Sequence, residues 1–344
     1  MCVSKKRRKK KNKNLKKNKM TKNLTVYDAK VVNGVPVLEI EPIDRNNAIS
    51  LMRSIFEVQS VSGYNDYMHD FIVSFIKDLN DDTITYSSDE FGNMYVTKGR
   101  ADTYPCIVSH IDTVHSIIPQ YNYVVLNSDT QFFAVNTLTR GATGIGGDDK
   151  NGIFCCLDNL ISQEKIKLAF FVDEEIGCVG STQADMTFFE DVSFVLQADR
   201  QGYKDVAIDI CYTEMFGVDF YAKIQDTLDD HNRSLCEGGM TDVMQLAHNG
   251  LEVAMANFSC GYYKPHSDYE YVVIDELILT SILFSDIIKN AYVDGDINHF
   301  EREVNEHAYY GGYGGYGRYD SVIDKVEQAD DYNLSSQEKV TVNQ

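Results

Sequence analysis

The sequence has no run of about 18 consecutive apolar residues, and its start lacks the apolar stretch of about 7–15 residues that a secretory signal requires. Both absences argue against membrane insertion and export, and a cytoplasmic protein is expected. None of the eight cysteines stands in Cys-x-x-Cys spacing. Neither a paired-cysteine metal clip nor a disulfide framework is therefore expected, and the thiols read as small buried apolar residues. A Gly-x-Ser-x-Gly elbow is missing as well, which removes the usual serine-hydrolase arrangement. There is no internal repeat.

Basic charge is scarce outside one tract. Residues 1–23 carry twelve Lys/Arg and no acid, which leaves 20 basic against 52 acidic groups in the other 321 residues. A body this acidic will not bind nucleic acid by bulk electrostatics, although an acidic pocket can hold cations. The stretch 5–22 is Lys/Asn-rich without apolar periodicity, so it is expected to be disordered. It reads either as an electrostatic arm for nucleic acid or another acidic partner, or as sequence upstream of a true start at Met20. At the other end, residues 301–344 include AYYGGYGGYGRYD (308–320) and a polar acidic finish. They read as a flexible tail, with assembly or ligand stacking as the functional alternative. The catalytic unit is expected within 24–300.

What is present is an α/β pattern of 43% apolar residues, enough for a sizeable core. Ile49, Met52, Ile55 and Phe56 share one helical face. After a Ser62-Gly63 break, Met68, Phe71, Ile72, Phe75, Ile76 and Leu79 repeat at 3.6-residue spacing. Strands are expected at 83–87, 93–98, 105–111, 167–172, 193–198, 206–212, 216–224 and 251–258, with helices at about 150–162, 240–248 and 274–292. Alternation of this kind predicts a mixed, centrally parallel sheet sandwiched between helices in three layers.

Five stretches place metal-ligating residue types at or just beyond predicted strands, where open α/β sheets gather their sites. In IVSHIDTV (107–114), His110 ends a strand and Asp112 follows two residues later, a spacing that lets a carboxylate hold one imidazole nitrogen while the other binds metal. In GIGGDDKNG (144–152), glycines precede Asp148, Asp149 and Lys150. A phosphate cradle competes there but lacks the Gly-Lys-Ser/Thr ending, and a plain turn with a helix cap remains open. LAFFVDEEIGCVGS (168–181) ends a strand in Asp173, Glu174 and Glu175, whose charges repel unless solvent or a cation relieves them. SFVLQADRQG (193–202) supplies Asp199, beside which Arg200 pairs with a neighbouring acid or contacts a substrate carboxylate, the pairing being favoured. FSCGYYKPHSDYEYV (258–272) supplies His266, with Glu270 behind it. Two histidines and several carboxylates form an N/O donor set suited to zinc, cobalt or manganese. Cys178 and Cys260 lie near these motifs and read as packing or turn positions.

In this order HIDTV, GGDDKNG, DEEIG, the Asp199 strand end and PHSDYEYV resemble the co-catalytic di-zinc exopeptidases of the peptidase T-like and carboxypeptidase G-like group, over roughly residues 47–292. SVSGYND (60–66) and DEFGNMYVTKG (89–99) resemble that group's leading helix and strand. The resemblance implies that His110, Asp148 and Asp199 hold one metal, that Asp148 bridges, and that Glu175 and His266 complete the second. It further implies Glu174 as general base, Asp112 as the partner that orients His110, and a cis peptide between Asp148 and Asp149. One departure stands out. Only 66 residues separate Asp199 from His266, too few for the group's separate lid or dimerisation domain, and LCEGGMTDVMQL (235–246) resembles the Gly-Gly-x-Thr-Asp segment of lidless relatives.

These residues point to hydrolysis of a terminal peptide bond by a metal-activated water, with two divalent ions, zinc first among them. The acidic body suits a substrate entering by its free amino group, which favours an aminopeptidase. An amidase or deacylase acting on N-acyl amino acids uses the same machinery, and a non-catalytic metal-stabilised binding protein is the alternative from another class. The sequence gives no oligomeric state.

Overall fold

The computed structural model describes residues 28–32, 35–39 and 42–302. The Lys-rich tract, Met20 and the Tyr/Gly tail lie outside the described residues. In chain order the elements are β1 (Asp28–Val32), β2 (Val35–Glu39), α1 (Pro42–Phe56), α2 (Asp66–Leu79), β3 (Ile84–Ser88), β4 (Met94–Lys98) and β5 (Tyr104–His110). There follow β6 (Tyr123–Asn127), β7 (Gln131–Asn136), β8 (Gly141–Thr143), α3 (Gly147–Ser162), β9 (Ile166–Phe171) and α4 (Val179–Thr182). The chain continues through β10 (Val192–Arg200), β11 (Asp205–Ile210), β12 (Thr213–Glu214), α5 (Val218–Asp230) and β13 (Ser234–Gly238). It ends with α6 (Asp242–His248), β14 (Ala254–Ser259), β15 (Tyr262–Tyr263), β16 (Tyr271–Val273) and α7 (Ile274–Ala291).

Nine strands build one sheet in the order β12-β11-β14-β10-β5-β9-β4-β3, with β13 paired to β11. The centre β14-β10-β5-β9 is parallel and the flanks are mainly antiparallel. Both β5 and β9 are buried along their whole length, as expected of strands covered on two faces. On one face Met52, Ile55 and Phe56 of α1, Ile153 and Phe154 of α3, and Leu277, Leu283 and Phe284 of α7 pack into a common core. On the other, Val243, Met244 and Leu246 of α6 pack with Phe189 and Met255. Each of these fully covered Phe, Ile, Leu and Met side chains contributes on the order of 1.5–3 kcal/mol.

Chain direction positions the site. From β5 the chain crosses through α3 to β9 on one side, whereas from β10 it leads to β14 on the other. The switch lies between β5 and β10, and the carboxyl ends of strands at such a switch are where open α/β sheets gather their sites. His110 closes β5, and Asp199 falls at a register shift between Gln197 and Arg200 in the pairing of β10 with β14. Bulges of this kind re-aim a side chain near a site.

Two readings of the chain are corrected. Residues 216–224, expected as a strand, belong mostly to α5. Its buried residues Phe220, Ile224, Thr227 and Leu228 follow helical spacing, a period that a nine-residue window does not resolve. A second, antiparallel sheet, β15-β16-β7-β6 with β8 on β7, was not expected at all. The cysteine reading holds for Cys106, Cys155, Cys156, Cys178 and Cys260, which are buried. Cys211 is exposed and Cys236 half-buried, and all seven of these thiols are free. Among the described residues no helix is long and apolar enough to cross a membrane.

Candidate metal centre and active site

Asp148 stands at the middle of the site. Its Oδ1 lies 3.3 Å from His110 Nε2, and its Oδ2 lies 3.3 Å from His266 Nε2. His110 Nε2 is also 3.7 Å from Asp199 Oδ1, while His266 Nε2 is 3.1 Å from Glu175 Oε2. Two groups result, His110–Asp148–Asp199 and Asp148–Glu175–His266, in each of which the ligand atoms lie within 4.8 Å of one another. Every residue that the resemblance assigned as a ligand is brought to this point. Glu174 Oε2 lies alongside, 3.9 Å from His110 Nε2.

The surrounding chain explains why these side chains converge. His110 is fully buried, and its Nδ1 lies 3.0 Å from the Asp112 carbonyl and 3.3 Å from Asp112 Oδ1. With Nδ1 engaged, Nε2 is the nitrogen that faces the cluster. Asp112 is held in turn by the Ser62 hydroxyl at 2.6 Å and by the Glu174 and Glu175 amides at 2.9 and 3.3 Å. The three consecutive acids divide their tasks. Asp173 turns away and accepts hydrogen bonds from the Gly63 amide and the Asn65 side chain, so only Glu174 and Glu175 face the site.

The glycine loop is not a phosphate cradle. Its Gly146 and Asp148 amides donate to the buried Glu270 carboxylate at 2.8 and 3.1 Å, and His115 Nε2 approaches the same group at 2.8 Å. Lys150 turns inward, and its ammonium donates to the carbonyls of Phe56 and Ile145. Asp149 latches the start of α3, accepting from the Ser109 hydroxyl at 2.7 Å and the Gly152 amide at 2.9 Å. A Cβ on Gly152 would stand 2.3 Å from Asp149 Oδ2, so this latch needs glycine there. The Asp148–Asp149 peptide is cis, as the resemblance implied.

Asp199 Oδ2 accepts from the Thr241 hydroxyl at 2.9 Å, and Tyr262 Oη lies 3.4 Å from Oδ1. Arg200 pairs with Asp205 at 3.5 Å, which is the pairing expected of it. His266 sits on the turn between β15 and β16, in a left-handed conformation with φ of +57°. Pairing of β16 with β7 holds that turn over the main sheet. The second sheet thus delivers the last ligand. The 66 residues between Asp199 and His266 build β11 to β14 with α5 and α6, which belong to the main sheet and its helices, and then β15 of the second sheet. The contributions of Ser62, Thr241 and Tyr262 were not assigned from the sequence, and only the Gly-Gly-x-Thr-Asp resemblance signalled one of them.

Charge in the cluster is crowded. Burial, reinforced by the Asp148 charge, pushes the Glu175 carboxyl up to about 8 and that of Asp199 to about 7. The hydrogen bond to Asp148 raises His266 to about 9. Burial opposes protonation of His110, yet its bonds to Asp112, Asp148 and Asp199 hold it well above its usual value. Asp148, despite burial, is held well below the carboxylate range by the two histidines. Glu175 Oε1 is buried with no hydrogen-bond partner. Among the described residues no lysine or arginine pairs with these ligand atoms. Two imidazoles and three carboxylates, one of them with an orphaned oxygen, form a set that divalent cations fit.

No protein-family model matches the chain. Over 151 residues it is 32% identical to a probable carboxypeptidase from Emericella nidulans, covering 40% of this chain and 33% of that protein. The chain thus spans about a third of the curated relative it matches. Among solved structures, aminopeptidase PepT from Bacillus cereus aligns with a TM-score of 0.56 and 14% identity, over 72% of this chain and 98% of that one. An aminopeptidase from Desulfurococcus kamchatkensis aligns at 0.52 and 15%, over 73% and 96%. The chain therefore has the fold of these aminopeptidase structures. A Pyrococcus horikoshii TET1 peptidase, which can assemble into a tetrahedron or a large octahedral shell, shares this fold at a TM-score of 0.52 and 13% identity, over 69% of this chain and 98% of that one.

Proposed function

We propose that the chain is a metal-dependent exopeptidase that hydrolyses a terminal peptide bond. His110, Asp148 and Asp199 hold one divalent ion, and Asp148, Glu175 and His266 hold the second. The observation that carries this reading is the division of Asp148, whose two oxygens each face a separate histidine–carboxylate pair. Bound ions supply a water acidic enough to ionise near neutral pH and positive charge for the developing oxyanion. Zinc is the expected metal, with cobalt or manganese as substitutes for the same donor set.

The chain's own residues do the rest. Glu174 takes the proton of the attacking water and passes it to the leaving amine. Its amide is anchored on Asp112, so the same carboxylate that orients His110 also fixes the base. Thr241 holds the second oxygen of Asp199, leaving Oδ1 toward His110. The acidic body supports entry of a substrate by its free amino group, and the catalytic unit spans about residues 24–300. Free thiols at all seven described cysteines suit a reducing cytoplasm.

Zinc- or cobalt-loaded protein incubated with free and N-acylated di- and tripeptides, with released amino acids identified by mass spectrometry, tests this reading. Release of the amino-terminal residue supports it. Release of the carboxyl-terminal residue keeps the mechanism but makes the protein a carboxypeptidase, and turnover of acylated substrates alone makes it a deacylase. A protein that binds two ions and cleaves none of these is the binding protein of the alternative reading.

A further inference from the structure

Cys178 has no place in the ligand set, and its sequence position suggested only packing or a turn. In the structure its Sγ lies 3.2 Å from Glu174 Oε1. The thiol is fully buried, and burial together with the charges of Asp242 and Glu174 pushes its ionisation far up, which keeps the S–H proton in place. The Glu174 carboxylate is thus the acceptor and the thiol the donor.

The backbone makes this contact specific. Cys178 adopts a left-handed conformation with φ of +53°, the N-cap position of α4. Its amide and that of Gly177 both donate to the Glu174 carbonyl at 2.8 Å, so residues 174–178 fold back on themselves. Glu174 is therefore held at three points: its amide by Asp112, its carbonyl by this turn, and Oε1 by the thiol. Oε2 is the oxygen that faces His110.

We propose that Cys178 is a positioning residue for Glu174: its S–H occupies Oε1, selects the rotamer of the side chain and leaves Oε2 as the oxygen that handles the proton. This inference rests on the reading of Glu174 as general base. No bond is made or broken at sulfur. The thiol keeps its proton throughout, and the proton in transit resides on Oε2.

The test compares Cys178→Ala, Cys178→Ser and Glu174→Gln in the full-length, zinc-loaded protein, with kcat and KM measured on the best substrate of the peptide panel. Alanine keeps the Cβ and the backbone conformation but removes the donor, so kcat is expected to fall about fivefold or more, with KM and bound zinc unchanged. Serine restores a donor and should recover most of the loss. In the metal-free protein, the infrared S–H stretching band isolated by subtracting the Cys178→Ala spectrum is expected to shift when Glu174 becomes Gln. That readout is independent of turnover. Wild-type kcat in Cys178→Ala, with activity lost in Glu174→Gln, would overturn the inference and leave the general base standing. Equal losses of kcat and zinc in the alanine and serine variants would also overturn it, as a packing effect. Full activity in Glu174→Gln would instead remove the general-base reading on which the inference rests.

Discussion

Loading the metal-free protein with zinc should expel protons, more than two per chain at pH 7. Without metal, Glu175 is pushed up to about 8, Asp199 to about 7 and His266 to about 9. At pH 7 these groups are about nine-tenths, half and almost wholly protonated, and each must lose its proton to become a ligand. His110, also raised, adds to the count. The combined affinity for the two ions should then climb by about 500-fold or more between pH 6 and 7, close to a factor of ten for each proton that must leave. Titration calorimetry in buffers of different ionisation enthalpy reads the number directly, as the slope of the observed heat against buffer enthalpy. A slope of zero would refute the reasoning, because the ligands would then meet the metal already deprotonated or would not be these residues. The sign for stability follows from the same shifts. Carboxyls raised above their unfolded values favour the folded metal-free state at low pH, and that contribution is lost as pH rises through about 7 to 8. His266 acts in the same direction, its contribution being present below its unfolded value and lost as pH rises through about 9. Zinc should therefore raise the melting temperature more at pH 8 than at pH 6, and the opposite order would contradict the assignment.

Two further substitutions probe the supporting residues. Asp112→Asn keeps the shape beside His110 but removes the charge that orients it, and should cost about 10- to 100-fold in zinc affinity or turnover by metal titration and peptide assay. Glu270→Gln replaces an acceptor oxygen beside Gly146, Asp148 and His115 with a donor, stranding one buried partner. A stability loss of about 1–3 kcal/mol in chemical denaturation is expected, with weakened metal binding.

How much of this was legible in the sequence depends on the range of the interaction. Apolar runs that end in His110, in Glu174 and Glu175, or in Asp199 are local patterns, and their convergence at one sheet edge follows from the α/β arrangement alone. The helices whose stripes span two turns or more, such as Met68, Ile72 and Ile76 of α2, were equally readable. The second sheet was not, because its pairing of Tyr271 with Phe133 joins segments far apart in the chain through strands that alternate only weakly. Residues 216–224 misled because alternation over three apolar positions precedes the helical period of Phe220, Ile224 and Leu228. The contacts of Ser62, Cys178 and Thr241 arise where loops and turns fold back, and that of Tyr262 from a strand of the second sheet, so no local sequence pattern signals them. The sequence likewise could not tell Asp173, which ties down a neighbouring loop, from the two acids beside it.

The central claim, hydrolysis at a two-ion centre with Glu174 as its base, is tested most directly by one comparison. Zinc-loaded wild type and Glu174→Gln are assayed on mixed di- and tripeptides, with bound metal quantified in both. The account predicts two ions per chain in each protein, release of terminal amino acids by the wild type, and a loss of at least about 100-fold in the variant. Undiminished cleavage by Glu174→Gln, or no cleavage by a wild type carrying both ions, would contradict it.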